Sequence, residues 1–184
     1  MSVPEPDQES VELSVIALLA EQEVAALATL SGTGGPSASH MHIASDGLTV
    51  YVHTFARDRK YGEMLRDPRV GYVASHLPDG GFAERRLIRS VQVRGLATQV
   101  TSPDELARAV EVSRRQFPWL RDSRLYDNIE VPADRPRQAF FRIDPVEALW
   151  TDHRVRQMWR TLLTFTADGR HIRSMRPYQD RVGA

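Results

Sequence analysis

The sequence predicts a mainly β chain of the α+β class: a small barrel of six or more short strands with two or three helices packed at its ends. Short stretches of alternating or continuous apolar residues recur along the chain, separated by Gly, Asp and Pro turn signals. Two other stretches carry helical spacing behind recognisable caps. The length of 184 residues supports one domain with a real core and is short for two. No internal repeat or low-complexity segment interrupts it.

Residues 1–9, MSVPEPDQE, read as a disordered, solvated tail, and residues 10–184 as a single domain. From Ser10, taken as N-cap, Val11, Leu13, Val15, Ile16, Leu18 and Leu19 suit a helix. Glu23 to Leu30 is a strand closed by the turn Ser31–Pro36, and Ser37 to Ile43 pairs back as a hairpin. Asp46-Gly47 signals a two-residue turn before the strand Leu48–His53. Arg57 to Arg66 reads as a short helix stopped by Asp67-Pro68, followed by the strand Arg69–Ser75. Ile88 to Val100 is a long strand in which Gly95 predicts a bulge or bend. Ser102-Pro103 opens a second long helix, running to about Phe117. Residues 118–137, with three Pro and many charges, form a surface loop or lid. Gln138 to Trp150 is a strand broken at Pro145, and Thr161 to Pro177 a hairpin turning at Ala167-Asp-Gly169.

Composition narrows the function. The formal net charge is zero, so bulk electrostatics give no case for nucleic acid or an anionic membrane as partner. No apolar run approaches the roughly 18 residues that span a bilayer, and MSVPEPDQES lacks the pattern of a signal peptide, so a cytoplasmic location is expected. The absence of cysteine excludes disulfides, thiol catalysis and thiolate metal sites. Of 24 basic residues one is lysine, Lys60, which draws the eye in so arginine-rich a chain without deciding anything.

Three segments could carry chemistry. In Val50-Tyr-Val-His-Thr-Phe-Ala-Arg-Asp-Arg-Lys60 a strand ends at Thr54 and Arg59-Lys60 fall in the first turn of a helix. A hydroxyl, two cations and helix N–H groups there suit an anion or phosphate; local physics by itself favours a solvated basic turn capped by Thr54. His40 and His42 share one face of a strand, a spacing open to a metal or haem pair. No HExxH pattern or third ligand accompanies them, and strand histidines bonded to their neighbours are the better-supported reading. Ser31-Gly-Thr-Gly-Gly35 leads into a strand rather than a helix, which rules out a Rossmann or P-loop site. Finally, Trp150 and Trp159 stand among Arg154, Arg156 and Arg160, suited either to a planar anionic ligand or to a protein interface.

At these segments the sequence resembles pyridoxamine 5′-phosphate oxidase and its FMN-binding split-barrel relatives. The residues that carry the resemblance are Tyr51-Val-His-Thr54, Arg59-Lys60 and Asp67-Pro-Arg-Val70, and a second set, Trp150, Arg156-Gln-Met-Trp-Arg160 and Met175-Arg-Pro177. The resemblance covers roughly residues 20–178. It implies a six-stranded split β-barrel with peripheral helices, and a homodimer that uses its C-terminal hairpin. It also implies FMN as cofactor, with His53, Thr54, Arg59 and Lys60 on the phosphate and ribityl chain. Ser39, His40 and Met41 would lie on the strand whose backbone faces the flavin ring, and Ser90 where the family often has a flavin-contacting Gln. Trp150 and Arg160 would reach the flavin across the dimer, and Arg156 would contact substrate.

Departures from the family pattern shape the expected activity. Met158 stands where the family has a substrate histidine, Met41 where it has a lysine near the substrate phosphate, and Pro36 where it has an arginine. The segment 102–117 and the loop after it do not reproduce the family's substrate-phosphate residues. A more apolar pocket implies a flavin-dependent oxidoreductase transferring a hydride from a small substrate, aromatic ones included, rather than vitamin B6 oxidation. Two rivals stay open: a split-barrel reductase using the deazaflavin F420, and a non-catalytic flavin or haem carrier with His40 and His42 as haem contacts. A barrel that has lost its cofactor is the third, and the retained Lys60 segment argues against it.

Overall fold

The computed structural model describes residues 4–120, 122–127, 129 and 137–178. Helix α1 (Gln8–Glu21) is followed by strands β1 (Val24–Leu30), β2 (Pro36–Asp46) and β3 (Thr49–Phe55), then helix α2 (Arg59–Arg66) and β4 (Arg69–His76). After a 3-10 turn at Phe82–Leu87 come β5 (Arg89–Gln99), helix α3 (Pro103–Gln116), β6 (Gln138–Asp152), β7 (Arg160–Phe165) and β8 (Ile172–Pro177). The strands lie in the order β3-β2-β1-β4-β5-β6-β7-β8, and a further β3–β6 pairing closes the first six into a barrel. This is the split β-barrel with peripheral helices that the sequence predicts.

α1 starts earlier than expected. Asp7, not Ser10, is the N-cap, its carboxylate accepting from the Ser10 N–H at 2.8 Å. Part of the predicted tail is therefore helix, and residues 1–3 lie outside the described residues. Val11, Val15, Leu18 and Leu19 form its buried stripe, spaced one helical turn apart. Glu12 ties the helix to the C-terminal hairpin, accepting from the Ile172 N–H at 2.6 Å. The core inside the barrel is filled by Leu27, Ile43, Val50, Val52, Val91, Phe141, Ile143 and Trp150, among others.

The split has a local cause in β6. Residues Ile143 back to Gln138 pair with Val50–Phe55 of β3, whereas Glu147–Thr151 pair with β7. Between them the register against β5 shifts, Arg94 facing Glu147 and Gly95 facing Pro145, so Val146 is the extra residue of a bulge. Pro145, which has no N–H to donate, sits where β6 passes from one neighbour to the other. The bulge predicted at Gly95 is present, with its inserted residue on the partner strand. A side chain at Gly95 would place Cβ 2.6 Å from the Asp144 carbonyl oxygen, so only glycine lets the strands approach.

α3 lies outside the barrel against β2, capped by Ser102 with Pro103 in its first turn. It encloses a second apolar cluster with Ala44, Tyr51, Phe117, Leu120, Tyr126 and Phe140. Gln116, its last residue, holds three elements together. Its amide nitrogen lies 3.0, 2.7 and 3.1 Å from the carbonyls of Leu19, Gln22 and Ile43. Its carbonyl accepts from the Ser45 N–H at 2.7 Å. The first two are carbonyls that the end of α1 leaves without helical partners. Much of the predicted lid, residues 121, 128 and 130–136, lies outside the described residues; its described part begins with a 3-10 turn, Pro118–Leu120.

Candidate functional site

β2 and β3 separate as they leave their turn. They pair only from Ile43–Asp46 against Thr49–Val52; beyond that, β3 turns to β6 and β2 keeps β1 alone. The edge of β2 that carries Ser39, His40 and Met41 opens on a cleft roofed by the end of α3 and the segment after it. The cleft has a volume of about 250 Å3. His40, Met41, His53, Thr54 and Lys60 line it, together with Asp58, Phe117, Trp119, Tyr126 and Phe140.

Its polar end is built by the β3–α2 connection. Thr54 is the next-to-last residue of β3, which runs one residue further than the sequence suggested, and Arg59 and Lys60 open α2 as expected. The side chains of the two basic residues diverge, because neighbours on a helix lie about 100° apart around its axis. Lys60 extends its ammonium into the cleft, 3.3 Å from an Asp58 carboxylate oxygen, and the Thr54 hydroxyl donates to the same oxygen at 3.2 Å. Arg59 instead pairs with Glu63 at 3.2 Å. Glu63 is buried and also accepts from the hydroxyls of Thr29 (2.6 Å) and Ser37 (3.1 Å). Those hydroxyl bonds, the Thr29 bond foremost, with the nearby arginines, hold the Glu63 carboxyl below its ordinary range despite burial. Arg59 thus braces α2 on the barrel through Glu63 and is not among the residues that line the cleft.

The aromatic end surrounds His53, whose ring lies 5.4, 5.1 and 5.4 Å from Phe55, Tyr126 and Phe140. Its Nε2 meets Gln138 Oε1 at 3.0 Å, while the Gln138 amide nitrogen donates to the Leu125 carbonyl at 2.9 Å. With that amide orientation, the network assigns the proton to Nε2 and leaves Nδ1 as acceptor. Burial lowers the His53 pKa, and the Gln138 bond and Asp58 oppose it without prevailing. The folded protein therefore binds fewer protons at His53 than the unfolded chain, so this contribution to stability is complete above pH ~6.5. It is lost as pH falls toward the depressed pKa. Urea midpoints should decline on acidification through that window, and His53→Gln should make the decline shallower; an unchanged slope would assign it to other groups.

His42 packs beside Phe117 and Trp119, at 5.5 and 5.2 Å, and these two rings stack on each other at 5.6 Å. Trp119 is fixed by its Nε1 donating to Glu23 at 3.1 Å. His40 and His42 are both exposed and both line the cleft, His42 against its aromatic wall. Among the described residues no cluster of three or more acidic or histidine side chains could hold a metal.

The other expected contacts lie elsewhere on the chain. Ser39 sits half-buried opposite Leu27, and Ser90 half-buried between Ser75 and Thr151. Trp150 is 1% exposed and belongs to the barrel core, so its indole offers no face to a ligand, a correction to its expected role. It fills the barrel because β6 alternates and Trp150 falls on the inward side. Arg160 opens β7 with its guanidinium over the Tyr178 ring at 5.7 Å. Arg156 lies exposed, paired with Glu5 at 2.8 Å, and lines a separate hollow with Phe82, Arg85 and His153. Met158 is exposed, in the left-handed region at φ 61° within the turn before β7.

Asp58, Phe117, Trp119 and Tyr126 line the cleft and were not among the candidate residues of the sequence. A carboxylate between Thr54 and Lys60 was a visible signal, as were the aromatics of Phe117-Pro-Trp119 where the second long helix meets the expected lid.

No curated protein matches the sequence significantly. Solved structures of the same fold include a heme binding protein from Mycobacterium smegmatis, at 17% identity and TM-score 0.67 over 88% of this chain. This chain covers 60% of that protein's length. Campylobacter jejuni ChuZ matches 95% of this chain and 68% of its own at 12% identity and TM-score 0.62. An FAD-binding protein from Mesorhizobium loti matches 71% and 86% at 22% identity and TM-score 0.51. These likenesses establish the fold. At the level of sequence, the family model for pyridoxamine 5′-phosphate oxidase matches residues 14–151, which include β1 to β5, all of β6 but its last residue, and every residue that lines the cleft. A barrel split at β6 and a cleft carrying Thr54 and Lys60 thus coincide with that match, and the chain belongs to the pyridoxamine 5′-phosphate oxidase family.

Proposed function

We propose that the protein is an FMN-dependent oxidoreductase that works as a homodimer on a small substrate. The observation that carries this reading is the convergence of the Thr54 hydroxyl and the Lys60 ammonium at the polar end of an aromatic-walled cleft. A phosphorylated planar cofactor needs such a pairing. The donor set fits the phosphate end of FMN, while Phe117, Trp119, Tyr126 and Phe140 give its remainder an apolar wall. When bound, the flavin would accept the hydride. The chain's own part is to fix the phosphate, line the cleft with aromatic side chains, and offer an uncharged His53 as hydrogen-bond partner.

Size and surface support the dimer. A cleft of about 250 Å3 is small beside the roughly 300–1,000 Å3 common for ligand sites, so one chain encloses only part of such a cofactor. The outer face of the barrel, across Ala26, Ala28, Ala38, Gly71, Val73 and Leu149, forms a shallow, largely apolar hollow of about 450 Å3. Surfaces of that kind are commonly interfaces. A second copy on this face could bring its own C-terminal turn to the open side of the cleft. Light scattering should give the mass of two chains, and Ala28→Arg should give monomers with weakened FMN binding. A monomer that binds FMN fully would refute the dimer.

Titration of the apoprotein with FMN, followed by flavin fluorescence, tests the cofactor directly, and turnover against a substrate panel tests the activity. A haem reading draws on His40, which opens on the same cleft. The visible spectrum of protein supplied with each cofactor separates haem, flavin and F420.

A further inference from the structure

Asp58 is the N-cap residue of α2, yet its side chain makes no capping hydrogen bond. An aspartate at this position ordinarily accepts from the N–H groups of the first turn. Here the carboxylate turns away and meets the Thr54 hydroxyl at 3.2 Å and the Lys60 ammonium at 3.3 Å. These are the two side chains that would otherwise receive an anion, and one carboxylate oxygen accepts from both. The side chain of Asp58 is one-third exposed and that of Lys60 one-fifth, so a ligand can reach the pair from the cleft.

From this geometry we infer that Asp58 is a specificity-determining residue: an internal anion that occupies the phosphate position and must be displaced by an incoming phosphate monoester. The inference rests on the proposed FMN site and extends it. A phosphate dianion and a carboxylate cannot share Lys60 and Thr54 without repulsion, so Asp58 lowers affinity for the phosphate group and leaves the uncharged remainder of the ligand untouched. The vacant capping position of α2 gives the displaced carboxylate a place to go: rotation toward the first-turn N–H groups satisfies it while the phosphate takes its former partners. The burial of Asp58 works against its charge, but Lys60, Thr54 and the Phe55 backbone outweigh it and hold the carboxyl below its ordinary value. It is therefore a full anion at neutral pH.

The test compares FMN with riboflavin, which lacks the phosphate, in the wild-type protein, Asp58→Asn and Asp58→Ser. Each variant keeps a polar side chain at the cap, and two are used so that failure of one to fold leaves the other. FMN binding should tighten by about fivefold or more in both, with riboflavin unchanged, since removing a partly exposed like charge has an effect of that order. FMN binding only after the substitution would be the same result in stronger form. An unchanged FMN-to-riboflavin ratio, in protein whose FMN binding still depends on Lys60, would overturn the inference and leave the cofactor site standing. Weaker FMN binding would overturn it too, making Asp58 a positioning residue for Lys60. No FMN binding by any of the three would overturn both the site and the inference.

Discussion

Replacing Lys60 with alanine should weaken FMN binding by roughly ten- to a hundredfold and leave riboflavin binding nearly unchanged. A hydrogen bond to a charged group contributes about 1.5–3 kcal/mol net, which converts to that range in dissociation constant. The substitution also strands Asp58, whose carboxylate would lose its ammonium partner at 3.3 Å and face the phosphate unneutralised. The effect should therefore fall toward the upper end of the range. Lys60→Arg should do less harm, since it keeps the charge. Riboflavin is the control for folding, because a damaged cleft would weaken both ligands together. Equal FMN affinity in wild type and Lys60→Ala would remove Lys60 from the site. Combining Lys60→Ala with Asp58→Asn closes a double-mutant cycle, and additivity there would show that the two side chains act separately.

Gln116→Leu should cost about 3 kcal/mol of stability, because the removed amide shares its two N–H bonds among three backbone carbonyls and accepts from a backbone N–H. Leucine fills nearly the same volume but leaves the carbonyls of Leu19, Gln22 and Ile43 and the Ser45 N–H without this partner. Each group so deprived costs about 1–3 kcal/mol if water cannot replace the bond. Partial access at this half-buried position holds the sum below the maximum. Urea unfolding measures it, and the thermal midpoint should drop by roughly 10 °C for a chain of this size. Because Gln116 ends α3 directly before Phe117 and Trp119, the same substitution should loosen the roof of the cleft. A loss under about 1 kcal/mol would show that water satisfies these groups.

Sequence alone determined the elements and most of their order. Caps, prolines and turn glycines act within a few residues, so Ser102-Pro103, Asp67-Pro68 and Gly169 could be read directly from their neighbours. The choice between Ser10 and Asp7 as cap was harder, since both residue types suit the position and α1 can begin at either. Spacing also placed Thr54 and Lys60 at the two ends of one short connection, close enough in the chain for local geometry to bring them together.

What the sequence could not decide was direction. Arg59 and Lys60 are adjacent and chemically alike, yet buried Glu63, fixed by Thr29 and Ser37 from other strands, draws one away and leaves the other in the cleft. Trp150 looked like a ligand contact because its type suits one, and the inward phase of β6, fixed by pairing with β5 and β7, put it in the core instead. The aromatic wall joins residues from β3, β6 and the segment after α3, separated by up to 87 positions between His53 and Phe140. The turning of the Asp58 carboxylate from its helix to Lys60 likewise followed from the shape of the folded connection. Local sequence sets which conformations each segment can adopt; packing between distant segments sets which side chains face one another, and that arrangement made the cleft.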